Sequence, residues 1–368
     1  MLSAAARQDE AAPISVMVVD DSAIVRGLIS RQIDAAEGMA VAASASGAAM
    51  ALNTLKTRRV DVIVLDIEMP QMDGITALPL ILAAQPGVKV LIASTLSRRN
   101  AEISLRALSL GAADYLPKPD GAPDAKETFN RELVEKIRAL GGKGATAPVR
   151  VASAAPLAAA PRAWAPPARP SVVAIGGSTG APPVLISIFQ QLGTRIDQPI
   201  LLTQHMPATF TQILAEQIKR VSGRPAAEAV DGEPIVSGRV YVAPGGWHMT
   251  AKRVNGTAVI SLNQEPPQHF CRPAVDPMLT SLAATYGPGV LACILTGMGS
   301  DGARGCETVA ASGGRFIVQD EASSAVWGMP GAAARTGLAT RIVSASDMAA
   351  TLAQMALGAA APASLGVG

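Results

Sequence analysis

Short apolar runs that end in polar residues or glycines recur along this chain, and they constrain its fold more than any other feature. The runs lie at 14–19, 40–45, 60–65, 88–93 and 112–116 in the first half and at 172–175, 198–203, 240–243 and 290–295 in the second. Helical spacing follows several of them, most clearly over 23–35 and 181–192. Strands that alternate with helices form parallel sheets covered by helices. The sequence therefore predicts two doubly wound α/β units.

The composition supports two ordinary domains and excludes several classes of protein. The chain has 368 residues, of which 49% are hydrophobic, and a net charge of +2. It has no basic block and few aromatic residues, which argues against a nucleic-acid partner. No apolar run approaches the roughly 20 residues that span a bilayer, and the N-terminus lacks a hydrophobic signal core. Three cysteines without metal-ligand spacing suit a reducing compartment. We expect a cytoplasmic protein without direct membrane insertion.

The stretch from Ser171 to Gly180, SVVAIGGSTG, contains a G-x-S-x-G pattern between a short apolar run and a helical segment. Strand, tight turn and helix is the context in which this pattern presents a nucleophilic serine. The turn would place the Ser178 hydroxyl beside the N-terminus of a helix, where free N–H groups favour negative charge. The pattern is degenerate, so a glycine-rich turn with an N-cap serine is an alternative. A phosphate-binding loop is a third, although the Walker lysine is missing.

Five polar residues follow four of the predicted strands in the first half of the chain: Asp20, Asp21, Asp66, Ser94 and Lys118. Ligands of parallel sheets bind outside the carboxyl ends of the strands, so we expect these side chains to meet. Three carboxylates at one point repel each other unless a hard cation such as Mg²⁺ holds them. A lysine and a hydroxyl beside them can bind a phosphoryl group, and the central carboxylate can accept it. Helix capping explains one of these aspartates but not the whole set.

This half of the chain, over 14–140, resembles the receiver domain of bacterial two-component response regulators, a flavodoxin-like fold. The resemblance rests on four features: the paired acids, the D-I-x-M-P after strand three, the hydroxyl after strand four and the K-P after strand five. It implies that Asp66 is phosphorylated from a histidine kinase and that Asp20, Asp21 and Asp66 bind Mg²⁺. It also implies that Ser94 and Lys118 contact the phosphoryl group. Tyr115 is either the family's switch aromatic or a core residue.

An Ala/Pro-rich segment, 141–170, separates the two halves. It has almost no large apolar side chains and its prolines favour an extended chain, so we interpret it as a linker. Trp164 is unexpected in such a segment and could pack on either domain or remain in solvent. The domain boundaries predicted from the sequence are 14–140 and 171–357.

In the second half, Ser178, His205 and Asp301 each lie just past a predicted strand. At one sheet edge they can act as a nucleophile, its base and the acid that orients the base. The order Ser, His, Asp differs from that of α/β-hydrolases. Glycines around Met298 would free its backbone N–H as an oxyanion donor. The sequence leaves other roles open: His248 and His269 are surface or substrate-contacting residues, and Arg272 binds an acidic substrate or caps a helix.

The motifs G-x-S-T-G, Q-H-M-P, R-P-x-V-D and T-G-M-G-x-D-G occur in this order over 171–357. This region resembles the catalytic domain of the CheB family of chemotaxis methylesterases, which join a receiver, a linker and the esterase in this order. The resemblance implies that Ser178 is the nucleophile, His205 the base, Asp301 the acid and Met298 the oxyanion donor, with Thr179 supporting the imidazole. Two positions depart from the family pattern: Ala181 stands where the family often has glycine, and Ala274 stands where it often has serine.

The resemblance implies a phosphorylation-controlled hydrolase of glutamyl methyl esters on chemoreceptors, which releases methanol in chemotaxis or chemosensory adaptation. It also implies deamidation of receptor glutamines, with the cytoplasmic domains of methylated chemoreceptors and the chemotaxis histidine kinase as partners. The ester chemistry needs no cofactor, so Mg²⁺ belongs to the receiver. Two rival functions are a receiver-gated serine hydrolase of another ester and a phosphorylation-dependent binding module with an inactive hydrolase domain. The Q-H-M-P and T-G-M-G-x-D-G motifs argue against a hydrolase of another ester. The presence of all three triad residues argues against an inactive hydrolase domain.

Overall fold

The computed structural model describes residues 12–95, 97–119, 125–142 and 169–358. They form two compact units, each built on its own parallel sheet, as the sequence predicted. Most of the predicted linker, including Trp164, lies outside the described residues. Within the described ranges no helix combines the length and the apolar character needed to cross a membrane.

The described chain up to residue 141 contains five strands and five helices in strict alternation. The strands are β1 (Ile14–Val19), β2 (Met39–Ala45), β3 (Val62–Asp66), β4 (Lys89–Ser94) and β5 (Asp114–Pro117). The helices are α1 (Ala23–Asp34), α2 (Ala48–Leu55), α3 (Gly74–Ala84), α4 (Arg98–Ser109) and α5 (Ala125–Gly141). The sheet is parallel with strand order β2-β1-β3-β4-β5. This is the flavodoxin-like order, and it brings the carboxyl ends of β1 and β3 side by side.

Helix α3 begins against the end of β3, and this close approach requires a glycine. A Cβ atom on Gly74 would lie 2.2 Å from the carbonyl oxygen of Asp66. The helix is capped by Asp73, whose side chain accepts a hydrogen bond of 2.7 Å from the Thr76 N–H. The sequence did not define α3, because Pro79 lies inside it and obscures the helical pattern.

The described chain from residue 172 onward has a seven-stranded sheet, a separate hairpin and six α-helices. Its strands are β6 (Val172–Gly177), β7 (Ile200–Gln204), β8 (Ala226–Glu228), β9 (Val240–Val242), β10 (His248–Val254), β11 (Thr257–Asn263), β12 (Val290–Ile294), β13 (Arg315–Gln319) and β14 (Arg341–Val343). Its helices are α6 (Ala181–Leu192), α7 (Ala208–Ser222), α8 (Val275–Tyr286), α9 (Ala303–Ala311), α10 (Met329–Arg335) and α11 (Met348–Leu357).

The order of strands in the large sheet decides where the functional residues lie. It runs β14-β13-β12-β6-β7-β9-β8, and every pairing is parallel. Strand β6 is therefore central, with β12 on one side and β7 on the other. The loops that follow these three strands carry Ser178, His205 and Asp301 to the same edge of the sheet.

The core of the second unit lies between this sheet and the elements packed on it. All residues of β6, β7 and β12 are buried, which matches their unbroken apolar runs. Residues of β10, β11 and α8, including Met249, Ile260 and Leu279, join the same apolar cluster. The hairpin β10–β11 turns at Asn255 and Gly256, a residue pair that favours a two-residue turn. The short edge strand β8 was not predicted, because its three residues carry no β-branched side chain.

Candidate active site and receiver site

Ser178 follows β6 directly and lies in the turn that leads into α6. The Ser178 N–H donates to the carbonyl of Thr296 at 3.1 Å, and the Ser178 carbonyl accepts from the N–H of Ala181 at 3.0 Å. The buried Gln204 amide donates a further hydrogen bond of 2.9 Å to that carbonyl. The backbone of Ser178 is therefore fixed on both sides, while its side chain is partly accessible.

The loop after β12 packs directly on this turn. A Cβ atom on Gly297 would lie 2.8 Å from the Cβ and 3.0 Å from the N atom of Ser178, so only glycine fits there. The Met298 N–H makes no hydrogen bond with any described residue, whereas the Gly297 N–H donates to Val326. Thr179 is buried beside the loop, and its carbonyl accepts from the Thr296 hydroxyl at 3.0 Å. The loop thus offers a free N–H next to the nucleophile candidate.

His205 follows β7 and is held both at its backbone and at its ring. Its N–H donates to the carbonyl of Gly177 at 3.1 Å. Gly177 and Gln204 are paired in the sheet register, so Ser178 and His205 leave neighbouring strands at the same level. The ring Nε2 lies 2.7 Å from Oδ2 of Asp301. The structure therefore brings the base and acid candidates into contact beside Ser178.

Asp301 is nearly fully buried, and its carboxylate is held by more than the imidazole. Oδ2 also accepts from the Val275 N–H at 2.6 Å, and Oδ1 accepts from the Asp276 N–H at 2.9 Å. Burial raises the pKa of Asp301, but His205 and these two N–H groups outweigh it and lower the pKa. The carboxylate is therefore ionised, and it points at His205 because the first turn of α8 fixes it there.

The imidazole of His205 has a second partner that the sequence did not indicate. The Cys271 side chain forms a hydrogen bond with it, from the loop that precedes α8. Burial lowers the pKa of His205, but Cys271 and Asp301 raise it more, and together they raise the pKa to about 10. The charged form of the base is therefore stabilised in the resting site.

The other candidates in this half have structural contacts. His248 is fully buried, with Nδ1 accepting from the Ala274 N–H at 3.2 Å, so it is neither a surface nor a substrate-contacting residue. His269 lies 3.2 Å from Oδ2 of Asp276. Arg272 donates through Nη1 to the carbonyls of Gln264 and Glu265, which braces that loop rather than capping a helix.

In the first unit the predicted polar residues meet at the edge of the sheet. The carboxylate oxygens of Asp20, Asp21 and Asp66 all lie within 4.8 Å of one another. Lys118 Nζ bridges two of them, at 2.8 Å from Asp66 and 2.9 Å from Asp20. The backbone of Lys118 is anchored by its N–H, which donates to the carbonyl of the buried Ser94 at 2.7 Å.

The donor set of this cluster fits a hard divalent cation. All of its ligand candidates are carboxylate oxygens, which Mg²⁺ prefers, and the exposed Asp21 leaves one side open to water. Burial raises the pKa of Asp66, although the hydrogen bond from Lys118 opposes this shift. Tyr115 is buried on β5, and Lys136 Nζ lies 5.6 Å from its ring centre.

Comparison with known proteins finds a matching family for each half of the chain. The family model for the CheB methylesterase matches residues 173–352, and the response regulator receiver domain matches residues 16–129. The chain is 50% identical to protein-glutamate methylesterase/protein-glutamine glutaminase 1 of Paramagnetospirillum magneticum, over 93% of this chain and 96% of that protein. It is also 50% identical to the protein-glutamate methylesterase/protein-glutamine glutaminase of Azospirillum brasilense, over 90% of each chain.

Among solved structures, the crystal structure of the Thermotoga maritima CheB methylesterase catalytic domain is 36% identical, with a TM-score of 0.49. The match covers 50% of this chain and 98% of that one. The identity to the two full-length relatives confirms the resemblance that the motifs predicted. This chain belongs to the family of protein-glutamate methylesterases/protein-glutamine glutaminases that join a response regulator receiver domain to a CheB methylesterase domain.

Proposed function

We propose that this protein hydrolyses methyl esters of glutamate side chains on chemoreceptors, and that it also deamidates receptor glutamines. Ser178, His205 and Asp301 are the proposed catalytic residues, and phosphorylation of Asp66 controls the reaction. The observation that carries the proposal is the 2.7 Å contact of His205 with Asp301 at the strand end that adjoins Ser178. The names of the relatives supply both the ester and the amide as substrate classes.

The reaction begins with proton transfer from the Ser178 hydroxyl to His205. Because Nε2 of the ring is bonded to Asp301, the proton goes to Nδ1. The Ser178 Oγ forms a bond to the ester carbon, and the carbonyl oxygen becomes an oxyanion. The free N–H of Met298 is the proposed donor to it. Preorganised donors of this kind typically contribute about 10²–10³ in rate.

The tetrahedral intermediate then collapses and expels the leaving group. His205 gives its proton to the departing methoxide, which leaves as methanol, or to the departing amine of a glutamine, which leaves as ammonia. Water then attacks the carbonyl carbon of the acyl-enzyme while His205 takes up its proton. His205 returns this proton to Ser178 as the acyl bond breaks, and a glutamate carboxylate is released. These steps consume one water for each ester or amide. Apart from that water and the substrate, they use only groups of this chain.

The receiver site has the proposed role of a phosphoryl acceptor. Asp66 is the proposed acceptor, and Asp20, Asp21 and Asp66 are the residues that would hold Mg²⁺. When bound, Mg²⁺ neutralises charge on the oxygens of the transferred phosphoryl group. Lys118 and Ser94 are the proposed contacts of that group, which the chemotaxis histidine kinase would supply. The receptor substrate implies that the protein acts in the cytoplasm.

The test is methanol release from receptor membranes whose glutamyl methyl esters carry a radioactive label. The full-length protein is expected to release volatile label, and mass spectrometry of receptor peptides should find glutamate at the former ester positions. A serine hydrolase of another ester would leave these esters intact, and so would a binding module with an inactive esterase. Intact esters after incubation with fresh, folded protein would contradict the proposal.

A further inference from the structure

A cavity of about 510 Å³ opens beside the proposed triad in the second unit. Ser300 and Asp276 both line it. Ser300 immediately precedes Asp301, and the Asp276 N–H donates to Asp301 at 2.9 Å. The cavity therefore lies at the same edge of the sheet as the proposed catalytic residues, on the side of Asp301.

Two arginines face this cavity from different helices. Arg304 lies in the first turn of α9, and Arg335 is the last residue of α10. Both are exposed, and the guanidinium group of neither forms a hydrogen bond or an ion pair with any of the described residues. Three other arginines of this unit are held by the protein: Arg224 and Arg253 donate to backbone carbonyls, and Arg239 pairs with Glu233. The guanidinium groups of Arg304 and Arg335 are thus available to a ligand.

The acidic residues of the cavity do not neutralise these two guanidinium groups. Asp276 is buried, and its oxygens accept from the N–H of Gly305 at 2.7 Å and from His269 at 3.2 Å. Burial, the largest cause, also raises the pKa of Asp276. Glu307 lines the cavity from the surface of α9 but forms no ion pair with Arg304 in the described structure. The cavity therefore presents two guanidinium groups that have no ion-pair partner among the described residues, beside one exposed carboxylate, that of Glu307.

The proposed reaction creates a partner for this charge. Each turnover leaves a glutamate carboxylate on the receptor, so a receptor with several modification sites carries carboxylates beside its remaining esters. Guanidinium groups bind carboxylates with two parallel hydrogen bonds, and two of them at one cavity favour an anionic side chain. We infer that Arg304 and Arg335 form a subsite for a glutamate carboxylate on the same receptor segment as the ester under attack. This inference rests on the proposed function.

The test compares peptide substrates that differ in one side chain. Each helical peptide carries a single glutamyl methyl ester, and one or two helical turns away it has either glutamate or glutamine. With the full-length protein, the peptide with glutamate at the better spacing should show a kcat/KM about two- to tenfold higher, mainly through a lower KM, as expected for partly exposed ion pairs. The preference should shrink at high salt, because salt screens exposed charges.

The variants Arg304→Gln and Arg335→Gln, combined in one protein, should remove the preference, so that the glutamate and glutamine peptides have equal kcat/KM. Lys252→Gln is the matched control, because Lys252 is exposed on β10 and does not line the cavity. It should retain the full preference. Equal kcat/KM for all peptides with the unmodified protein would overturn this inference alone, as would a preference that survives in the double variant. Failure to release methanol from any peptide and from receptor membranes would overturn the proposed function as well.

Discussion

The imidazole of His205 lies 2.7 Å from Oδ2 of Asp301, and that oxygen also accepts a hydrogen bond of 2.6 Å from the Val275 N–H. The acid is thus fixed by the start of a helix more than twenty positions away in the sequence. This arrangement fixes the orientation of the His205 ring and leaves Nδ1 as the ring nitrogen that can contact Cys271 or take up the serine proton. The predictions below follow from it and from the packing around Ser178.

We expect Asp301→Asn to reduce methanol release by about 10²–10⁴, the scale of the equivalent change in another triad enzyme. An amide presents only one acceptor oxygen, whereas the carboxylate now accepts from two backbone N–H groups and from His205. The ring would lose its orientation and the partner that stabilises its charged form. Turnover should be measured on labelled receptor membranes, with thermal unfolding as the check on folding. A folded variant with unchanged turnover would assign Asp301 a structural role.

The rate of ester hydrolysis should rise with pH from neutral into the alkaline range. His205 must be neutral to accept the serine proton, but Cys271 and Asp301 raise its pKa to about 10, against the opposing effect of burial. Since the pKa of His205 is higher in the folded than in the unfolded protein, its imidazolium form also stabilises the fold at low pH. That contribution is lost as pH rises through about 10.

Cys271→Ala removes one of the two groups that raise the His205 pKa. The rising limb of the pH profile of kcat/KM should therefore move to lower pH in this variant. The profile of each protein is measured with the same receptor substrate and normalised to its own maximum. Superimposable profiles would show that Cys271 does not influence the base.

Gly297→Ala should slow the reaction by about tenfold to a hundredfold, because small displacements of a reacting group cost this much. The new Cβ would meet Ser178 at 2.8 Å and the sulfur of Met329 at 2.5 Å, so the nucleophile turn must move. Gly27→Ala on α1 is the matched control, since a Cβ there meets nothing within 4 Å. It should keep the rate of the unmodified protein. Equal rates for Gly297→Ala and the control would mean that the position of this turn does not limit the reaction.

Phosphorylation should accelerate the esterase through Asp66. A small phosphodonor with Mg²⁺ is expected to increase methanol release by roughly 5–150-fold, which corresponds to a coupling of about 1–3 kcal/mol between the two sites. Asp66→Asn should abolish this response without changing the rate measured in the absence of the donor. A response that persists in Asp66→Asn would place the acceptor elsewhere.

The sequence predicted most of the strands and the sheet class because these depend on local patterns, and the same patterns single out the candidate residues. Ser178, His205 and Asp301 each follow a buried apolar run, and the carboxyl ends of parallel strands meet at one edge. The contacts that complete the site are not local. Cys271 reaches His205, and the N–H of Asp276 reaches Asp301, only after α8 packs against the sheet. The burial of His248 likewise depends on how β10 packs against α8, which no periodicity in the sequence reveals.

The central claim is that Ser178 is the nucleophile of a glutamyl methyl esterase, and Ser178→Ala tests it most directly. Release of labelled methanol from methylated receptor membranes is measured for the full-length protein and for the variant at equal concentration. Thermal unfolding verifies that both are folded. The account predicts that the variant releases no label above the enzyme-free background while the unmodified protein does. Methanol release by Ser178→Ala within a few-fold of the unmodified rate, in preparations free of other esterases, would contradict it.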